Sequence, residues 1–150
     1  MNRFSTYNEF GFIAIEYSKG IENEILEKII NNYLTMKKIE SIKYKDEGKL
    51  VVISSKTTLG TIPYLIRRLD FLSDIDQQLK EFKEFIEKSL IGKKSLFRFK
   101  ENLFLVVREY RNPAAHPSNY PREKIDAFRR LLFDEGFLKS FLHAIQPAHL

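Results

Sequence analysis

The chain contains no cysteine. Disulfides, thiolate nucleophiles and cysteine-based zinc centres are thereby excluded, and the composition is compatible with a reducing compartment. Tryptophan is absent and methionine occurs only twice, against 13 Phe and 7 Tyr, so the expected core is rich in phenylalanine. No run of about 18 apolar residues occurs, so no membrane span is expected. The opening residues, Met1-Asn2-Arg3-Phe4-Ser5-Thr6-Tyr7, lack the apolar stretch and small-residue cleavage site of a signal peptide. A cytoplasmic location is the resulting expectation. The signatures of metal and nucleotide chemistry are missing too. There is no His-Glu-x-x-His, no metal-spaced acidic cluster, and no Gly-x4-Gly-Lys-Ser/Thr or Gly-x-Gly-x-x-Gly loop. Neither a metal nor another cofactor is expected.

What the chain does have is an ordinary globular balance, 43% hydrophobic and 30% charged over 150 residues, enough for one domain spanning 1–150. The net charge of +5 is uneven. Between Ile91 and Arg130 ten Lys and Arg face four acids, an excess of +6 that leaves the rest of the chain at −1. Such clustering is the footprint of a partner for a polyanion, although the same charges also read as solvated helix faces. Within this segment Arg108, Arg122, Lys124 and Arg129 are the candidate contacts to such a polyanion. Paired carboxylates such as Glu22/Glu24 and Asp74/Asp76 read as helix-dipole and solvation features.

Apolar spacing predicts an all-α bundle of about four to six helices, with a short extended or hairpin insert around 41–55. Phe10, Ile13, Ala14, Tyr17, Ile21, Ile25, Ile29, Ile30 and Tyr33 mark one face of a long helix over Tyr7 to Thr35, with a bend expected near Gly20. Ser41–Tyr44 and Leu50–Ile53 flank a turn-prone segment with Gly48 near its end, which reads either as a hairpin or as a loop with extended pieces. Thr61 is a candidate cap for a short helix with Pro63 in its first turn. Ser73 caps the next helix, striped by Ile75, Leu79, Phe82, Ile86 and Leu90 and stopped by Gly92. Ser95 then caps a helix so apolar all round (Leu96, Phe97, Phe99, Leu103, Phe104, Val106, Val107) that it is expected at the centre of the bundle. That helix should stop or kink at Asn112, because a residue before proline avoids α geometry. A following helix starts from Ser118 or Asn119 and carries Ile125, Phe128 and Leu132, and Phe137 to Ile145 form a last short one.

The central helix ends in Arg108-Glu109-Tyr110-Arg111-Asn112-Pro113-Ala114-Ala115-His116-Pro117. A permanently protonated guanidinium with a planar donor fork, an amide and an imidazole titrating near neutrality lie within six residues. Phosphate binding plus proton transfer is the chemistry of metal-free RNA cleavage. On a straight helix residues five apart are rotated by about 140°. Arg111 and His116 therefore converge only if Pro113 distorts the backbone or two copies of the chain share one site. The plainer reading has Arg111 on helix-terminal carbonyls and His116 as an ordinary turn residue. His143 and His149 have no Arg at the same offset, and Tyr120 reads as a packing or a stacking residue.

With Arg111-Asn112-x3-His116 closing a buried helix of an all-α chain, the sequence resembles the HEPN superfamily (higher eukaryotes and prokaryotes nucleotide-binding domains). Its hallmark is an Arg, commonly followed by a polar residue, and a His after a gap of four to six positions, here four. Tyr17 to Leu34 looks like the family's first long helix, Leu96 to Phe133 like the motif helix and its successor, and Lys37 to Thr61 like an insert. The resemblance implies a metal-independent endoribonuclease acting on RNA, often homodimeric, in a toxin or phage-defence setting with an antitoxin or defence-system partner protein. Arg111 would bind the scissile phosphate, His116 would move a proton at the 2′-hydroxyl or the leaving 5′-oxygen, and Asn112 would orient the pair. Ser118 stands where the toxins paired with nucleotidyltransferase antitoxins carry Tyr, which points away from that subgroup. The alternative implied function is a non-catalytic HEPN-like module binding RNA or protein, such as the C-terminal domain of a larger defence protein.

Overall fold

The computed structural model describes residues 3–70, 76–89, 93–114 and 120–134. These form five continuous helical rods and one hairpin, the expected all-α bundle with its insert. The first rod is α1 (Arg3–Ile25), a π-helical turn (Leu26–Asn31) and α2 (Asn32–Lys37). Its irregularity falls at the π turn and not at Gly20, which lies inside α1. Ala14, Ile21, Ile25, Ile29, Ile30 and Tyr33 are all buried, as their spacing requires. The rod closes at Lys38, whose φ of 56° lets the Ile39 amide reach back to the Leu34 carbonyl at 3.0 Å.

The insert is a true hairpin. Strand β1 (Ile42–Asp46) pairs antiparallel with β2 (Lys49–Ile53), Asp46 opposite Lys49 and Ile42 opposite Ile53. Its two-residue turn, Glu47-Gly48, has φ of 49° and 79°, the pairing of positive values that matches the right-handed twist of the strands. Ile42, Tyr44 and Ile53 face the core, and β1 packs on α4, so the helices supply the support that a lone hairpin lacks.

Helix α3 (Ile62–Arg68) carries Pro63 in its first turn as expected, but Thr61 makes no capping bond. Helix α4 (Gln77–Ser89) buries Leu79, Phe82 and Ile86, and α2 closes on it through Tyr33 against Phe82, with centroids 4.9 Å apart. The expected cap Ser73, with Ile75, Leu90 and Gly92, lies outside the described residues. Helix α5 (Lys93–Leu105) begins before Ser95, which therefore is not its cap. It buries Phe99 and Leu103 on one face only, while Phe97 is 60% exposed. The expectation of a helix submerged on all sides is thus corrected: α3 and α4 cover one side, and the other faces outward.

The helix does not stop at Asn112. It widens into a second π turn (Val106–Arg111) and continues as α6 (Asn112–Ala114), with Asn112 in ordinary helical geometry, φ −63° and ψ −44°. The Asn112 amide bonds to the Val107 carbonyl five residues back. Proline within an α-helix drives its ring into the carbonyl four residues earlier. One extra residue in the turn above Pro113 eases that clash, so the chain runs on through a widened turn where a stop or a kink was expected. Helix α7 (Arg122–Arg129) starts from Pro121 and runs into a third π turn (Arg130–Asp134). Ser118, Asn119 and the expected helix over Phe137 to Ile145 lie outside the described residues.

Candidate active site

Four elements meet where the motif helix ends. The second π turn packs on α1 and α7, and α6 packs on α1. Tyr110 stacks on Phe128 at 4.6 Å and 7°, and Tyr17 meets the same Phe128 edge-on at 5.7 Å. Each such pair contributes about 0.5–1.5 kcal/mol beyond its buried area. At Gly11 the approach of α1 is close: a Cβ there would stand 3.6 Å from the Ala114 carbonyl oxygen and 3.7 Å from Tyr120 Cβ. The end of the motif helix is thus held by the packing of α6 on α1, and Tyr120 is buried beside it.

Arg111 sits half-buried on the last residue of the π turn. Its Nη1 donates to Asn112 Oδ1 at 3.0 Å, and a Cβ on Gly60 would lie 3.8 Å from that nitrogen. The guanidinium thus rests against the turn that leads into α3. That turn is pinned in its own right, because Glu22 Oε2 on α1 accepts the Leu59 amide proton at 2.7 Å. Among the described residues no carboxylate lies within ion-pair distance of Arg111, and no backbone carbonyl accepts from its guanidinium. A guanidinium oriented by a neutral amide keeps its charge and most of its donors for an anion.

Of the expected site residues, the structure joins Arg111 with Asn112. His116 lies outside the described residues. The four candidate RNA contacts are exposed or partly so, and each has a local partner. Arg108 Nε meets Glu109 Oε1 at 3.0 Å. Arg122 and Arg129 flank the two oxygens of Asp126 at 3.9 and 3.8 Å. Arg129 also donates from Nε to the Tyr17 hydroxyl at 3.0 Å. Lys124 Nζ stands 5.9 Å from the centre of the Tyr120 ring. Exposed pairs of this kind are weak, so these cations remain exchangeable with phosphate. Tyr120 itself is 3% exposed, which makes it a packing residue; its hydroxyl has no hydrogen-bond partner among the described residues, and burial holds its pKa well above the usual phenol value.

Sequence reasoning missed Gly60, Glu22 and Leu59, because nothing local in the sequence says that the turn before α3 folds back on residue 111. Among the described residues no group of three His, Asp or Glu side chains has the arrangement of a metal site. No helix among them is long and apolar enough to cross a membrane. A cleft of about 630 Å³ lies between α2 and the loops that flank the hairpin, lined by Thr35, Lys38, Ser41, Ser54 and others. None of the described residues expected to act on RNA lines it, and the arginines outweigh it as a candidate because they carry chemistry that it lacks. Comparison with protein-family models, curated proteins and solved structures finds no match to this chain.

Proposed function

We propose that the chain is a metal-independent endoribonuclease of the HEPN type, acting through attack of the 2′-hydroxyl on the adjacent phosphate. One observation supports this best: the Arg111 guanidinium, oriented by Asn112, faces no carboxylate among the described residues and stands in the most basic part of the chain. Attack by the neighbouring hydroxyl is already intramolecular, so the protein need supply only proton transfer and prearranged charge. In this reading Arg111 binds the scissile phosphate and stabilises the charge that grows on it. His116 takes the 2′-hydroxyl proton or delivers one to the 5′-oxygen, leaving a 2′,3′-cyclic phosphate and a 5′-hydroxyl. Two protomers would combine their motifs in one cleft, in a toxin or phage-defence system with a protein partner.

The test is cleavage of total RNA in EDTA by the parent, Arg111→Ala and His116→Ala chains. Loss of a prearranged charge costs about 10²–10³ in rate and loss of a proton-transfer group about 10²–10⁴. Cyclic-phosphate ends made by the parent and missing from both variants support the reading. Equal cleavage by all three chains, or none by the parent, overturns it and leaves a binding module.

A further inference from the structure

Helices α3 and α5 run side by side, and their outward faces match in register. Gly60 lies against Arg111, Tyr64 against Phe104 (rings 5.4 Å apart, 86° between planes), and Asp70 against Lys100 (2.8 Å). The order falls along α3 as it rises and along α5 as it descends, so the two helices are antiparallel. Their shared surface alternates rings and cations. Exposed Arg67 stands 5.0 Å from the centre of the Tyr64 ring, and Lys100, largely covered and paired with Asp70, stands 4.9 Å from that of Phe97. Tyr64 and Phe97 are 49% and 60% exposed, unusual for rings that could have turned inward.

From Phe97 to Arg111 this strip is about 20 Å long, at 1.5 Å per helical residue. That is room for about four nucleotides, the short end of known single-strand sites. We propose that the α3–α5 strip binds an unpaired RNA strand, its bases stacking on Tyr64 and Phe97 and its phosphates leading to Arg111. Rings add nothing to a duplex, whose bases are already stacked, whereas exposed aromatics beside cations suit a strand with free bases. A second copy of this chain is the poorer occupant. It would press a cationic strip against its like, with Glu101 the one acid on the outer face of α5 between Phe97 and Phe104 that has no basic partner among the described residues. The proposal rests on the nuclease reading only in giving Arg111 a phosphate, and its test is independent of turnover.

The probe is a short, unstructured RNA strand made of 2′-O-methyl nucleotides and labelled with fluorescein, which lacks the attacking hydroxyl and so cannot be cut by this route. Its affinity for the full chain is read by anisotropy at low salt, beside the same strand annealed to its complement. Tyr64→Ala and Phe97→Ala should each weaken single-strand binding about 5- to 100-fold and leave the duplex affinity within about twofold. Tyr64→Leu, which keeps apolar bulk without a stacking face, should fail like Tyr64→Ala. Arg67→Ala should lower the salt slope by about one, and Glu101→Gln should tighten binding. The proposal is overturned by ring variants that bind the strand as the parent does, by equal losses on strand and duplex, or by a parent that does not bind. Ring variants that dissociate a dimer in sedimentation while keeping their RNA affinity would assign the strip to a second copy.

Discussion

The carboxylate of Glu22 accepts the backbone proton of Leu59 across 37 residues of sequence, at 2.7 Å. Through that bond α1 fixes the turn whose next residue, Gly60, lies against Arg111. A hydrogen bond to a charged acceptor contributes about 1.5–3 kcal/mol, and the Leu59 amide, in a residue 1% exposed, has little water to fall back on. Glu22→Ala should therefore lower the melting temperature by about 3–12 °C. Glu22→Gln keeps an acceptor and should lose less than half of that. If the turn frames Arg111 as described, RNA cleavage falls with the same ranking; thermal melts and initial rates on the three chains check both statements.

Asn112 holds the Arg111 guanidinium without neutralising it. Asn112→Asp retains shape and acceptor but adds a charge in the same place, so the cation would be satisfied internally. An exposed ion pair changes stability by about 0–1 kcal/mol, so the variant should melt close to the parent. RNA affinity should nevertheless drop, with the slope of log affinity on log salt shallower by about one, the signature of one lost phosphate contact. Anisotropy titrations over a salt series read this directly. An unchanged slope would mean that Arg111 does not touch phosphate.

Tyr44 projects from β1 into the core, and burial pushes its hydroxyl up to about 12, with Asp46 adding to the rise and Arg68 opposing it. The unfolded chain ionises near 10. A group whose folded value is raised contributes stability that is fully present below the unfolded value and is lost as pH climbs toward the folded one. The parent's unfolding free energy should accordingly be unaffected by this group below pH about 10, and fall by about 2 kcal/mol between about pH 10 and 12. Tyr44→Phe removes that part of the fall, while Tyr33 and Tyr120, also raised by burial, keep theirs. Urea titrations at several alkaline pH values separate the two chains.

The rods were legible because burial imposes a period. Ile21, Ile25, Ile29 and Tyr33, or Leu79, Phe82 and Ile86, had to face one side, and they do. The hairpin was legible from Gly48, although not its type, since Glu47 adopts the positive φ usually given to Asn or Gly. What failed was reasoning from single residues. Phe97 and Phe104 promised a submerged helix, yet side chains follow the neighbours available, and α3 and α4 cover only one side of α5. Proline at 113 promised a stop or a kink, and the helix runs on through a widened turn upstream. Of the site, Arg111 and Asn112 were legible as neighbours in sequence. Gly60 and Glu22 were not, because the loop that carries Leu59 and Gly60 is placed by long-range packing alone.

Pro113 offers the sharpest probe of that widened turn. It lacks an amide proton and in a regular α-helix would crowd the carbonyl of Glu109, a clash that the π turn over Val106–Arg111 eases. In Pro113→Ala both constraints vanish, and the regained amide can bond four residues back. The helix should then relax towards α geometry, turning Arg111 out of phase with Gly60. Stability should change little, because the regained hydrogen bond, about 1 kcal/mol, is offset by about 0.4–1 kcal/mol of added freedom in the unfolded chain. RNA binding and cleavage should fall nonetheless, since the guanidinium no longer meets the α3 turn. A melt within a few degrees of the parent together with at least tenfold lower activity is the expected pair of results. Full activity in Pro113→Ala would show that the phase set by the π turn does not matter to the site.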